Sequence, residues 1–176
     1  MITKEEKSKI GKKNRQNGSK FELLVRKDLE SKGWIVIKNP NNVIEETKLV
    51  EECPIHAGNN NWIKRLVPET KKYFKQGKSK YNPFTKRLMM NSGGFPDFLC
   101  YQTKELTSVE DRSYEIIGVE CKTNGKLDKE EKEKVIWLLE NNMFGKILIA
   151  SKEMNGKRQT IKYLDTKDVE ETKKTI

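Results

Sequence analysis

Three short apolar runs in the second half of the chain restrict what this sequence can fold into. The run KILIAS at 146–151 is almost entirely apolar, as is typical of a strand in the interior of a sheet. DFLCYQ at 97–102 and YEIIGVECK at 114–122 predict two further strands, joined by a polar hairpin loop. Before the last strand, apolar residues recur at helical spacing, which predicts an amphipathic helix that begins at Asp128 and ends at Gly145.

The first and last parts of the chain add further elements to this sheet. Apolar residues recur at helical spacing between Ser19, a good N-cap, and Gly33, a good stop signal. WIVIK at 34–38 predicts a short β-branched strand, and RQTIKYLD at 158–165 predicts a weaker edge strand. This order of elements predicts an α/β fold with a mixed central β-sheet flanked by helices.

The length of the chain favours one folded domain with two charged ends. A chain of 176 residues without a long Pro/Gly/Ser linker is expected to form a single core. We expect a basic N-terminal arm or frayed helix at 1–18, the folded domain at 19–165 and a charged tail at 166–176. Residues 39–92 form an insertion within that domain, and their pattern favours no particular structure.

The charge balance indicates an anionic partner. Lys and Arg total 36 against 26 Asp and Glu, which gives a formal net charge of +10 and suggests nucleic acid. No window reaches the roughly 18 to 20 apolar residues of a membrane span, so we expect an intracellular protein without membrane association. The three cysteines fit neither a zinc motif nor a disulfide framework, and the only histidine, His56, lacks an evident partner for metal binding or catalysis.

Charged residues stand at the ends of two predicted apolar strands. Alternate strand residues share a face, so Gly118, Glu120 and Lys122 lie on one side. In an antiparallel hairpin, Asp97 at the start of one strand lies near Glu120 at the end of the other. Two neighbouring carboxylates repel each other, and a divalent cation relieves that repulsion; with the Cys121 backbone carbonyl, such an all-oxygen site suits Mg²⁺ or Mn²⁺. Alternatively, Asp97 caps a turn and Glu120 forms a rim salt bridge with Lys122.

A short motif spans these strand ends. The dipeptide Pro-Asp ending at Asp97, followed after 22 residues by ECK at 120–122, resembles the PD-(D/E)xK nuclease signature. Its context, GGFPDFLCYQ and then GVECKTNGKLDKEEKEKVIWLLENNMFGKILIAS, resembles the VRR-NUC nucleases and the archaeal Holliday-junction resolvases. The resemblance covers residues 92–152 together with 19–38. It implies a restriction-endonuclease-like core and a metal-dependent endodeoxyribonuclease that hydrolyses phosphodiester bonds, selective for branched DNA such as Holliday junctions.

The resemblance also implies roles for individual residues. Asp97 and Glu120 would bind the metal, and Lys122 would serve the attacking water. Bound Mg²⁺ or Mn²⁺ would lower the pKa of a water and stabilise negative charge on the phosphodiester. Lys122 could orient or deprotonate that water, or neutralise charge on the phosphate. Such nucleases are commonly homodimers, because two strands are cut at sites related by a twofold axis.

For two glutamates, Glu22 and Glu131, the sequence leaves the role in a site of this kind open. Glu22 in the first helix matches a further catalytic glutamate of these families; alternatively, Ser19 and Glu22 form a capping box, in which Glu22 bonds the Ser19 amide. Glu131 stands where VRR-NUC nucleases usually have a glutamine. If Glu131 faces the pocket, it changes the metal number or the pose of the substrate, and Lys132 or Lys134 could instead meet phosphate.

Two basic segments are expected to contact DNA phosphates. The residues concerned are Lys12, Lys13 and Arg15 in the first segment and Lys71, Lys72, Lys75, Lys78 and Lys80 in the second. Aromatic residues interleaved with the second set would stack on bases or sugars; alternatively, these rings pack in the core and the lysines remain solvated. The rival functions are a sequence-specific restriction or homing-type endonuclease that reads DNA through residues 39–92, and a non-catalytic DNA-binding protein that retains the nuclease fold.

Overall fold

The structure, a computed structural model, describes residues 3–51, 55–56, 62–63, 66–76, 80–83, 86–89, 93–104, 113–156 and 158–167. In this part of the chain there are two helices and eleven strands. They are α1 (Lys4–Ser31), β1 (Ile35–Lys38), β2 (Asn41–Glu51), β3 (Ile55–His56), β4 (Trp62–Ile63), β5 (Leu66–Gln76), β6 (Lys80–Asn82), β7 (Arg87–Met89), β8 (Phe98–Lys104), β9 (Ser113–Cys121), α2 (Lys129–Glu140), β10 (Lys146–Asn155) and β11 (Arg158–Asp165).

Five strands form one mixed sheet in the order β1-β8-β9-β10-β11. β9 and β10 run parallel, and the other neighbouring pairs run antiparallel. The predicted α/β fold with a mixed central sheet is therefore confirmed, and β11 is an edge strand as its weak pattern predicted. The residues predicted to join β8 to β9 by a hairpin loop, 105–112, lie outside the described part of the chain.

The two helices pack on opposite faces of this sheet. One cluster of buried residues contains the apolar stripe of α1, including Phe21 and Val25, together with Val119 and Ala150 of the sheet. A second cluster contains the buried residues of α2 and Ile147 of β10. Ile147 and Ala150 point to opposite faces because side chains alternate along a strand. The core therefore has two layers, one on each side of the central strands.

Helix α2 begins where the sequence predicted and ends earlier. Asp128 is the N-cap, and it forms a capping box with Glu131. The predicted end at Gly145 is wrong, because the last helical residue is Glu140 and the C-cap is Asn141. Asn142 has a φ of 54°, and a residue in this left-handed region stops an α-helix.

Helix α1 begins at Lys4, so the predicted N-cap at Ser19 is wrong. Thr3 caps the helix: its hydroxyl accepts from the Glu6 amide at 3.2 Å, and its own amide donates to Glu6 Oε2 at 2.8 Å. None of residues 5–20 is buried, so no apolar pattern marks this part of the helix. The segment 1–18 is thus helical from Lys4 onward. Neither described helix is apolar enough to cross a membrane.

The described part of the insertion is mainly a two-stranded ribbon. β2 and β5 pair antiparallel along eleven residues each, from Asn41 opposite Gln76 to Glu51 opposite Leu66. The base of the ribbon rests on the α2 side of the core, where the Phe74 ring meets the Phe144 ring edge-on at 5.9 Å between centroids. Two short strand pairs, β3 with β4 and β6 with β7, account for the other described strands of the insertion.

Replacing Gly118 tests how β8 and β9 are packed at the end that carries Asp97. An added Cβ at Gly118 would lie 2.6 Å from Pro96 Cγ and 3.2 Å from Ile147 Cγ1. Because the Pro96 ring is buried and rigid, Gly118→Ala should lower the free energy of unfolding by about 1 to 3 kcal/mol, measured by urea denaturation. Gly11→Ala is the control, since nothing lies within 4 Å of its added Cβ and alanine favours a helix. Equal stability of Gly118→Ala and the parent would contradict this packing.

Candidate active site

The register of β8 and β9 brings two carboxylates together. Phe98 pairs with Val119, so Asp97 and Glu120 come next to each other at the ends of the two strands. The Asp97 amide donates to Glu120 Oε2 at 3.0 Å, and the Cys121 amide donates to Asp97 Oδ2 at 3.0 Å. Each acid is therefore fixed by a backbone group of the neighbouring strand, and Asp97 does not act as the cap of a local turn.

Lys122 connects this pair of acids to α2. Its Nζ lies 3.3 Å from Glu120 Oε1 and contacts Glu131 Oε1. Glu131 therefore faces the site, while its other oxygen accepts from the Asp128 amide at 3.0 Å. Glu120 is only 6% exposed, so its contact with Lys122 is not a salt bridge on an open rim. The hairpin geometry predicted that Asp97, Glu120 and Lys122 meet; their chemical roles stay predictions.

Glu22 reaches the same place through Lys38, a residue that sequence reasoning missed. Lys38 Nζ lies 2.7 Å from Glu22 Oε2 and 2.8 Å from Asp97 Oδ1. The alternative in which Glu22 completes a capping box with Ser19 is wrong, because α1 does not begin there. Lys38 pairs with Phe98, the residue after Asp97. In the sequence, Lys38 is marked only by its place at the end of a predicted strand. Its approach to Asp97 follows from the register of β1 against β8, which the sequence does not give.

The site groups four carboxylates, those of Glu22, Asp97, Glu120 and Glu131, around the ammonium groups of Lys38 and Lys122. Burial, followed by repulsion from Asp97, raises the pKa of Glu120 to about 8. Burial lowers the pKa of Lys122, but hydrogen bonds and charge attraction to Glu131 and Glu120 outweigh it and hold the pKa above its ordinary value. Lys38 shows the same balance with its own two acids. Both lysines are therefore protonated at neutral pH.

The oxygen donors of the site suit a hard cation. Nowhere in the described ranges do three or more His, Cys, Asp or Glu side chains form a group that could hold a metal ion. Asp97 and Glu120 nevertheless supply two adjacent carboxylates, and Mg²⁺ is commonly bound by one or two carboxylates plus water and substrate oxygens. Burial raises the pKa of the Cys121 thiol, which packs toward α1, so this residue could contribute its backbone carbonyl and not a thiolate.

The basic residues predicted to contact DNA differ in their surroundings. Lys12, Lys13 and Arg15 are exposed on α1. The three described lysines of β5 are held in ion pairs: Lys71 with Glu69 at 3.0 Å, Lys72 with Glu45 at 3.1 Å and Lys75 with Glu46 at 2.5 Å. Lys80 lies on β6, and Lys78 lies outside the described residues. The ribbon therefore carries a neutralised charge pattern, whereas α1 carries a basic one.

The described aromatic residues of the second basic segment differ in their burial: two are half-buried, and one is exposed. Phe74 is half-buried and packs against the second core cluster. Tyr73 is also half-buried, and the Lys75 ammonium lies 5.0 Å from its ring centroid. Tyr81 is 60% exposed, so it is the described ring available for stacking in this segment.

Comparison with known proteins gives no match: no protein-family model, no curated protein and no solved structure is similar to this chain. Function is therefore inferred from the geometry of the site and from the motif. The described part of the chain has a mixed five-stranded sheet between two helices, and no known structure extends this description of the fold.

The raised pKa of Glu120 predicts how stability depends on pH. In the unfolded chain this glutamate loses its proton near pH 4.3, whereas in the folded chain it does so near pH 8. The folded state thus binds more protons between these values, and the Glu120 contribution should destabilise the protein by up to about 1.4 kcal/mol per pH unit as pH rises from 5 to 8. The measurement is the urea midpoint against pH, without metal, for the parent and Glu120→Gln.

Glu120→Gln should lose this part of the pH dependence, because a glutamine does not titrate. Glu153→Gln is the control, since Glu153 is exposed on β10 at 54% of its side-chain surface. Parallel pH profiles for the parent and Glu120→Gln would show that the buried carboxyl titrates normally.

Proposed function

We propose that this protein is a metal-dependent endodeoxyribonuclease of the PD-(D/E)xK type, with a restriction-endonuclease-like core. The observation that carries the proposal is the contact of Asp97, Glu120 and Lys122 at the ends of β8 and β9. Charged groups are seldom buried at a strand end unless they are paired or bind a metal. The two acids of the site, Asp97 and Glu120, lie in a chain whose net charge is +10. An acidic site in a basic protein is expected for an enzyme that binds both a cation and DNA.

The residues that would hold the cation are Asp97 and Glu120, with the Cys121 carbonyl as a further oxygen. When bound, Mg²⁺ or Mn²⁺ would supply a water of lowered pKa and stabilise negative charge on the phosphate. The chain itself fixes the two acids, since backbone amides hold one oxygen of each. Burial of Glu120 also disfavours an unneutralised carboxylate, so a cation bound there would take the place of the proton that this residue otherwise holds near neutral pH.

Lys122 is proposed to orient the attacking water or to neutralise charge on the phosphate. Deprotonation of the water by Lys122 is disfavoured, because the acids around it keep its ammonium protonated. Glu131 holds this ammonium from the α2 side, at the position where VRR-NUC nucleases usually have glutamine. A carboxylate at this position adds an ion pair that fixes Lys122, and it makes the site more acidic than an amide would.

The favoured substrate is branched DNA such as a Holliday junction, and the favoured assembly is a homodimer. A twofold pair of sites is the simplest way to cut two strands symmetrically. The β2-β5 ribbon gives the alternative, a sequence-specific restriction or homing-type enzyme, a structural basis, because a two-stranded ribbon fits the major groove of DNA. Cutting of arbitrary duplex at discrete sites would favour that alternative.

The decisive experiment is cleavage of a synthetic four-way junction, a flap and a linear duplex in Mg²⁺, Mn²⁺ or EDTA. We expect metal-dependent nicking that is strongest on the junction. Asp97→Asn, Glu120→Gln and Lys122→Met should each reduce the rate at least about 100-fold, while DNA binding persists.

The control for these variants is an acid on the same strand but outside the site. Glu115 of β9 lies 3.0 Å from Lys146 in an ion pair, so Glu115→Gln removes a comparable carboxylate and should leave cleavage unchanged. Full activity of the three site variants would refute the assigned site. If the protein cuts all three DNAs equally, the proposed preference for junctions is refuted, whereas the proposed nuclease activity stands.

DNA binding should depend more on α1 than on the ribbon. The α1 variant changes Lys12, Lys13 and Arg15 to Ala, and the ribbon variant changes Lys71, Lys72 and Lys75 to Ala. If each α1 residue contacts a phosphate, the α1 variant should lower the slope of log K against log salt by about 2 to 3. The ribbon variant should lower it less, because its lysines are already paired with glutamates. Fluorescence anisotropy in EDTA measures both slopes, and an equal loss in the two variants would contradict this difference.

A further inference from the structure

Lys38 occupies the centre of a contact between three elements of the fold. Its ammonium lies between Glu22 of α1 and Asp97 before β8, at 2.7 and 2.8 Å. The same ammonium lies 5.0 Å from the centroid of the Phe98 ring. A single side chain of β1 thus joins Glu22 of α1 to Asp97, which with Glu120 forms the acidic pair of the site.

This position places Lys38 in competition with a cation at the acidic pair. Asp97 Oδ2 accepts from the Cys121 amide, and Asp97 Oδ1 accepts from Lys38. Both oxygens of Asp97 are therefore already bonded to hydrogen donors. A divalent cation that binds Asp97 must share or replace one of these bonds, and the fixed positive charge next to it opposes the approach of a second one.

We propose that Lys38 is a positioning residue that acts as the internal counter-ion of the site. It holds Glu22 and Asp97 together when no divalent cation is bound, and it sets how tightly the cation binds by competing with it for Asp97. The proposal rests on the proposed function, since it concerns the cation of that site. Removal of the Lys38 charge exposes Asp97 to the cation, and it leaves Glu22 and Asp97 unneutralised when no cation is bound.

The test is Mn²⁺ binding to Lys38→Met, measured by isothermal titration calorimetry without DNA. Methionine keeps an unbranched apolar stem against Phe98 and removes the charge. The variant should bind Mn²⁺ about tenfold more tightly than the parent, because a positive charge near the cation is lost. Its melting temperature without metal should be lower, and the rise on adding Mn²⁺ should be larger than in the parent. Lys38→Arg, which keeps the charge, should bind Mn²⁺ like the parent.

The matched control is Lys32→Met. Lys32 also pairs with a carboxylate, that of Asp28 at 2.7 Å, and lies 4.8 Å from the centroid of Tyr163, but it has no contact with the acidic pair. This variant should leave Mn²⁺ affinity unchanged, since a lysine with only a structural role lowers stability without tightening metal binding.

The outcomes separate the two proposals. If the parent binds Mn²⁺ and cuts DNA, but Lys38→Met binds Mn²⁺ no more tightly, the counter-ion role of Lys38 is refuted and the nuclease stands. If neither the parent nor Lys38→Met binds Mn²⁺ at millimolar concentration and the parent does not cut DNA, the proposed function fails and the inference fails with it.

Discussion

The burial of the Glu120 carboxyl is the constraint on which the site and its surroundings depend. The carboxyl group of a residue that is only 6% exposed is stable only if nearby groups bond it, neutralise its charge or keep it protonated. The Asp97 amide supplies one bond and Lys122 the charge, and both depend on the register of β8 against β9. Gly118 belongs to the same arrangement, because the missing side chain leaves room for Pro96 directly before Asp97.

Two lysines extend this arrangement from the sheet to the helices on its two faces. Lys38 links the acidic pair to Glu22 of α1, and Lys122 links it to Glu131 of α2. The helices therefore contact the sheet through two apolar clusters and through one shared group of charges. Such a group lowers stability wherever a buried acid must ionise, and proteins commonly retain groups of this kind where function requires them.

Sequence patterns predicted the elements that bury apolar surface, and they failed where other interactions decide the structure. The strands of the sheet and α2 were found because their apolar residues recur at the spacing that the core requires, and the predicted antiparallel pairing of β8 with β9 placed Glu120 next to Asp97. The start of α1 was missed, since the Thr3 capping box and an exposed helix leave no apolar pattern. The ribbon was missed because contacts across its strands include ion pairs, such as Lys72 with Glu45, which leave no apolar pattern in the sequence. The contact of Lys38 with Asp97 depends on the pairing of β1 with β8, two strands far apart in the sequence, and no local sequence pattern indicates that pairing.

Helix α1 relates the basic surface of the chain to the acidic site. Between Lys4 and Lys20 it carries seven basic and two acidic residues, and Glu22 follows on the same continuous helix. Arg15 and Glu22 are seven residues apart, so they lie on nearly the same face and about 10 Å apart along the axis. In the proposed function, a phosphate backbone that contacts Arg15 would lie about two helical turns from Glu22, which Lys38 joins to Asp97. In the proposed function, attraction of DNA and concentration of a cation at neighbouring acids are opposite electrostatic requirements, and a continuous helix would satisfy both by separating them along its length.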